Sequence, residues 1–206
     1  SPEHAPAHRF YIDVIQTFTG KYVDRNHKNC IPLQMVEAAK DFINDHFIFI
    51  YPEKEEQSQS PAWIIEKARE LALMHGITGI VIDPWNQLDH DIGGTREDLY
   101  LAHWFKQFKR LSQSHRLKTV IVAHPTANEG RSRSRPTGYS VSGGSMWMNK
   151  MDAICIDHRP QFWEDKADRS VEFVVEKAKQ QYRFGRPDVV QFHYRDFWYW
   201  DESGTD

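Results

Sequence analysis

Two apolar runs in this chain end on a group that can do chemistry. Gly79-Ile80-Val81-Ile82 ends on Asp83, and Val120-Ile121-Val122-Ala123 ends on His124. A carboxylate at the end of a buried strand can hold the water shell of a divalent cation, and a polar group on the neighbouring strand can sense a phosphate. Each residue also has a plainer reading. Asp83 precedes Pro84 and suits a turn initiator, and His124 suits a partly buried structural histidine. A third feature is EGRSRSRPTGY (129–139), where Arg131, Arg133 and Arg135 occupy every second position. In an extended loop this period places them on one side, where they can track the phosphates of a single strand. The alternative is a solvated loop. Eleven histidines invite a metal reading, but His4 and His8 form no H-E-x-x-H motif and no histidine pairs with a cysteine, so no structural metal is expected. Asp89 and Asp91 read as solvated loop carboxylates.

The elements that must position these groups follow from hydrophobic period and end signals. Helices are expected over 8–20, with Phe10, Val14, Ile15 and Phe18 on one face, and over 34–46. FIFIY (47–51) is short and wholly apolar, which predicts a buried strand, and 52–60 reads as a surface loop. Residues 60–76 read as a helix with Ser60 as N-cap, Pro61 at the first position and Gly76 as the stop. ITGIVID (77–83) and LKTVIVAH (117–124) are buried strands. The helix 95–116 between them gathers Leu101, Phe105, Phe108 and Leu111 on one face. A long loop covers 125–142, a short helix 144–151, and strands are expected at 152–159 and 169–180, with one or two more in 188–200. Trp147, Met148 and the C-terminal aromatic run read as packing residues, the run on an edge strand.

Strands alternating with helices predict an α/β fold: a mostly parallel central sheet with helices on both faces and an antiparallel C-terminal edge. With 206 residues, 40% of them hydrophobic, one domain spanning 1–206 is expected. The net charge of −3 gives no global field for nucleic acid, so any contact must be local. Cys30 and Cys155 match no metal or redox motif and predict reduced thiols in a cytoplasmic protein. No apolar run reaches membrane-spanning length, so no membrane association is expected.

Taken in order, the motifs resemble the RecA-fold motor domain of DnaB-type replicative DNA helicases, the group of the phage primase-helicases and Twinkle. IVIDPWNQLD resembles the Walker B motif. GGTREDL (93–99) resembles the segment that follows it, where Arg96 is typical. VIVAHPT (120–126) resembles the motif whose last residue reads the γ-phosphate. SVSGGSMWMNKMDAICIDHR (140–159) resembles the stretch from a DNA-binding loop through a short helix into a strand. KQQYRFGRPD (179–188) resembles the arginine-finger segment, and Ser1-Pro2-Glu3 the family's Ser-x-Glu.

The resemblance implies a RecA-like three-layer fold and an ATP- and Mg²⁺-dependent helicase that assembles as a homo-oligomeric ring on single-stranded DNA. It implies that Glu3 polarises the attacking water, Asp83 holds Mg²⁺ through water, His124 senses the γ-phosphate, and Arg183 reaches the neighbouring subunit's ATP. It also gives the DNA loop to Arg131, Arg133, Arg135, Gly143 and Gly144. Two departures stand out. Gln181 takes the place of a lysine two residues before the finger, although Lys177 and Lys179 are close by, and Lys179 is the cation expected to serve the nucleotide. The Walker A sequence G-x-x-x-x-G-K-[ST] does not occur in the 206 residues. The abrupt Ser1-Pro2-Glu3 start predicts a longer parent that carries it, and this chain alone is expected to be inactive. The alternative is a non-catalytic RecA-like module that binds DNA or a partner.

Overall fold

The structure, a computed structural model, describes residues 8–52, 58–127 and 133–201. Its chain divides into two compact units. The larger comprises Ile50–His158 and Val174–Val189, and the second contains the described residues 8–49, 159–173 and 190–201.

In the larger unit, α3 (Pro61–His75) begins as its sequence predicts. The Ser60 side chain accepts a hydrogen bond from the Trp63 amide, Pro61 fills the first turn, and Gly76 ends the helix with φ 63°. β1 (Gly79–Ile82), α4 (Glu97–His115) and β2 (Lys118–Ile121) then form a parallel crossover, with Gly79 opposite Lys118 and Ile82 opposite Ile121. The four predicted α4 residues are all buried. They meet Ile64, Ile65 and Ala68 of α3, Ile80 and Ile82 of β1, and Trp85 and Trp147 in one core. α5 (Gly144–Lys150), β3 (Ala153–His158) and β4 (Ser170–Ala178) follow. A four-residue helical turn, α6 (Gln181–Phe184), leads to β5 (Asp188–Arg195), most of which belongs to the second unit.

The strands form two sheets, one of β1 and β2 and one of order β3-β4-β5-β6, where β6 is Trp198–Asp201. β5 and β6 pair antiparallel, so the C-terminal edge is antiparallel as expected. The parallel pair departs from expectation in its burial. Val81 and Val120 are register partners and are 67% and 51% exposed. Parallel strands are ordinarily covered on both faces. Here Ile80 and Ile82 turn to the core and the alternate residues do not.

In the second unit, α1 (His8–Thr19) packs on α2 (Leu33–His46), with Phe18 stacked on Phe42 at 4.4 Å. The run 47–51 is not a strand, which corrects the sequence expectation. The Phe47 amide instead closes α2 by donating to the Ile43 carbonyl. Phe47 and Phe49 lie edge-on to Phe10, at 6.3 and 5.0 Å. An apolar run becomes a strand only where a neighbour takes its backbone hydrogen bonds, and here the rings find partners on a helix. The β5–β6 hairpin turns on Asp196 and Phe197, both with positive φ, as a two-residue primed turn requires. Its Trp198 indole donates to the Thr17 carbonyl at 2.6 Å and lies against Gly20, so much of the aromatic run packs within this unit.

Candidate functional site

Asp83 directly follows β1, whereas His124 lies beyond the end of β2 at Ile121, which corrects the expected strand 117–124. The parallel pairing extends one step past the strands: the Val122 amide donates to the Ile82 carbonyl at 2.9 Å, and the Trp85 amide to the Val122 carbonyl at 2.7 Å. Asp83 is half-buried and His124 is exposed. The Asp83–Pro84 peptide is cis. A short 3₁₀ turn, Trp85–Gln87, follows. From it the Asn86 side-chain oxygen accepts a hydrogen bond from the His124 amide at 2.9 Å. Asn86 thus ties the turn after one strand to the segment after the next. Sequence reading misses it, because Asn in D-P-W-N looks like an ordinary turn former. Asn86→Ala is expected to cost about 1 kcal/mol and to speed hydrogen exchange at the His124 amide, which exchange mass spectrometry would read. Unchanged exchange would remove Asn86 from the site.

Beside this pair, Trp85, Asn86, Glu97, Ala123, Ser142 and Trp147 line most of a cavity of about 150 Å³. Glu97, in the first turn of α4, accepts a hydrogen bond from the Ser142 hydroxyl. Trp147 donates to the Ser142 carbonyl at 3.1 Å. His90 bridges the Trp85 carbonyl (2.9 Å) and the Tyr100 hydroxyl (3.1 Å), which fixes the segment after Asp83 to α4. Burial raises the Tyr100 pKa against the lowering effect of its hydrogen bond with Trp104.

The described residues of the loop before α5 are held by hydrogen bonds. The Thr126 amide donates to the Ser140 carbonyl at 2.8 Å, which joins the two ends of the loop. The buried Ser140 hydroxyl accepts from the Thr137 amide at 3.0 Å. Arg133 and Arg135 are exposed on this loop; Arg131 lies outside the described residues, as does Glu3. Gly143 has φ 66°, and a Cβ there would overlap the Leu101 side chain. A Cβ on Gly144 would overlap the Tyr139 backbone. Both glycines therefore have a packing reason independent of any ligand.

Arg183 is exposed on α6, in the turn between β4 and β5, and Gly185 ends that turn at φ 89°. Lys179 stands at the far end of β4 from Ser170. Its ammonium donates to Asp152 at 3.1 Å and to the Lys150 carbonyl at 3.2 Å. Lys109 donates to the same carboxylate at 2.8 Å. Burial raises the Asp152 pKa, but hydrogen bonds and charge from the two lysines outweigh it and hold the group below its usual 3.8. A carboxyl with a depressed folded pKa adds stability above its unfolded pKa and loses it as pH falls through the folded value. Asp152→Asn is therefore expected to lower the unfolding free energy in urea at pH 7, by less than about 1 kcal/mol because the pair is exposed. The loss is expected to fade as pH falls through the folded pKa. A loss that does not change with pH would show that the ion pairs are not its cause.

Among the described residues no three histidine, cysteine or acidic side chains cluster to hold a metal, and no helix is long and apolar enough to cross a membrane. The described part of the site therefore offers Asp83 after its strand and Glu97 in the neighbouring cavity rather than an all-protein cage. That donor set suits Mg²⁺, which keeps most of its waters and takes few carboxylates.

A strand–helix–strand crossover with polar groups beyond adjacent strand ends, followed by an antiparallel edge, is the α/β arrangement of RecA-like ATPase domains. The structure has a TM-score of 0.74 with one solved ATPase domain of this kind. The two are 14% identical, over 98% of this chain and 72% of that one. It has a TM-score of 0.71 with a DnaB-like replicative helicase solved with regard to its interactions with primase, at 12% identity, over 93% of this chain and 47% of that one. In sequence, the chain is 35% identical over 126 residues to the Twinkle homolog protein, chloroplastic/mitochondrial, of Arabidopsis thaliana. That match spans 60% of this chain and 17% of the relative. No protein-family model matches the chain. The chain thus has the RecA-like fold, and the resemblance to DnaB-type helicase motor domains drawn from its motifs stands.

Proposed function

We propose that residues 1–206 are the core of an ATP-dependent DNA helicase motor, which hydrolyses ATP at subunit interfaces of a ring and moves along single-stranded DNA. The observation that carries this reading is that Asp83 and His124 follow neighbouring parallel strands and that Asn86, after Asp83, holds the His124 amide. Asp83 would hold Mg²⁺ through water, and the ion would supply charge neutralisation on the phosphates. His124 meets the γ-phosphate side, and its loop runs on to Arg133 and Arg135. Glu3 polarises the attacking water. Arg183, on its exposed turn, stabilises transition-state charge on a neighbouring subunit's ATP. Lys179 already has a carboxylate partner, so its share in nucleotide binding is secondary. With both cysteines free, a reducing compartment suits the chain, and we assign it to the cytoplasm.

This reading requires a Gly-rich phosphate loop with its lysine outside these 206 residues, since none occurs within them. That requirement also gives weight to a second reading, a RecA-like module that binds DNA without turnover. ATPase measurements on the full-length protein separate the two. Single-stranded DNA is expected to stimulate turnover, and Asp83→Asn to reduce it by about a hundredfold or more. DNA binding with no turnover in the unsubstituted protein would establish the second reading instead.

A further inference from the structure

The strand that leads to Arg183 also holds the loop that carries Arg133 and Arg135. On β4, the Glu176 carboxylate accepts a hydrogen bond from the Gly138 amide at 2.5 Å. One residue on, the Lys177 ammonium donates to the Met148 carbonyl of α5. Two residues further, Lys179 donates to the Lys150 carbonyl and to Asp152. Two positions on β4 and one just past its end thus grip 138–152 along its length. Arg183 follows four residues after Lys179.

Gly138 is where the grip is tightest. It is buried, and a Cβ would meet Met148 Sδ at 2.5 Å and the Glu176 carboxylate at 3.2 Å. A backbone amide donating to an ionised carboxylate makes a stronger bond than a neutral pair. Both partners are at least half-buried, so leaving either unpaired carries a desolvation cost. Gly138 is three residues from Arg135, and its neighbour Thr137 is pinned by Ser140. A displacement of the Arg133–Arg135 segment is therefore carried to β4 through Glu176, and from β4 to the finger turn. The link is one hydrogen bond between segments, Gly138 to Glu176, with a short stretch of chain on either side of it.

From this geometry we infer that Glu176 is a positioning residue that couples occupancy of the Arg133–Arg135 loop by single-stranded DNA to the placement of Arg183. The inference rests on the proposed helicase reading. It assigns Glu176 no contact with nucleotide or DNA.

The experiment compares full-length protein with its Glu176→Ala and Glu176→Asp variants, measuring ATP turnover with and without a saturating thymidine oligonucleotide. Glu176→Asp keeps the charge and shortens the reach, and so guards against loss of fold in Glu176→Ala. Both variants are expected to keep unstimulated turnover within about twofold and to lose about tenfold in stimulation by DNA. Oligonucleotide affinity, read by anisotropy, is expected to change far less than the stimulation. A fold defect would lower both rates together. Stimulation retained in Glu176→Asp, or unstimulated turnover lost in parallel, overturns the coupling role and leaves the helicase reading intact. If the unsubstituted protein shows no DNA-stimulated turnover, the helicase reading falls and the coupling role falls with it.

Discussion

Replacing Arg183 with alanine in the full-length protein is expected to leave ATP binding nearly unchanged and to slow hydrolysis by about 10³- to 10⁵-fold. The expectation comes from where the residue sits. Arg183 lies on a single helical turn between two strands, exposed, with the adjoining Gly185 at φ 89° setting the turn's exit. An exposed arginine on a short turn between two strands suits a group that acts on something outside its own subunit. In the proposed role it meets charge that develops on the phosphoryl oxygens only in the transition state. Its loss therefore falls on turnover rather than on binding. Arg183→Lys is expected to rescue little, because an ammonium cannot reproduce the planar fork. Binding of a fluorescent ATP analogue and phosphate release, measured on the same preparations, make the test. Normal turnover in Arg183→Ala would remove the finger assignment. Lost binding together with lost turnover would place the arginine in ground-state recognition instead.

Phe108→Ala is the substitution expected to cost most stability. Phe108 is 2% exposed and lies edge-on to Trp85 at 6.2 Å. Trp85 in turn meets Phe105 at 5.7 Å and Trp147 at 6.2 Å. Removing a ring from the middle of this cluster leaves a cavity worth about 3–5 kcal/mol. That is a large part of the roughly 5–15 kcal/mol that holds a domain folded. Thermal unfolding followed by circular dichroism is expected to shift down by about 10 °C. Val81→Ala is the control: its side chain is 67% exposed, and its loss is expected to stay within about 0.5 kcal/mol. A small effect at Phe108 would mean that the aromatic cluster does not carry the stability of this unit. The cluster also bears on the site, because Trp85 is two residues from Asp83 and its backbone closes the ladder onto Val122.

These two cases show what local pattern can and cannot convey. The α4 stripe was legible because four apolar residues at helical spacing can be buried together only one way. Ser60, Pro61 and Gly76 marked the ends of α3 because capping is local chemistry. The position of Asp83 was legible for a related reason, since an apolar run that stops on a polar group marks a strand end, but the same rule ran too long at His124, where β2 ends at Ile121. FIFIY misled because strand formation depends on a neighbour that the run itself does not encode. Asn86 and Glu176 were invisible for the same cause. Their partners, the His124 and Gly138 amides, are 38 residues away from each in sequence. The glycine pair 143–144 was read as part of a DNA loop, yet each glycine is also demanded by a close approach that only folding creates.

The most direct test of the helicase reading is strand separation of a forked DNA duplex by the full-length protein, followed by fluorescence as the labelled strand is released. ATP with Mg²⁺ is expected to drive release, and a non-hydrolysable analogue is expected to support binding to the fork without release. Release that proceeds equally with the analogue, or none with ATP under conditions where the protein binds the fork, would contradict the account.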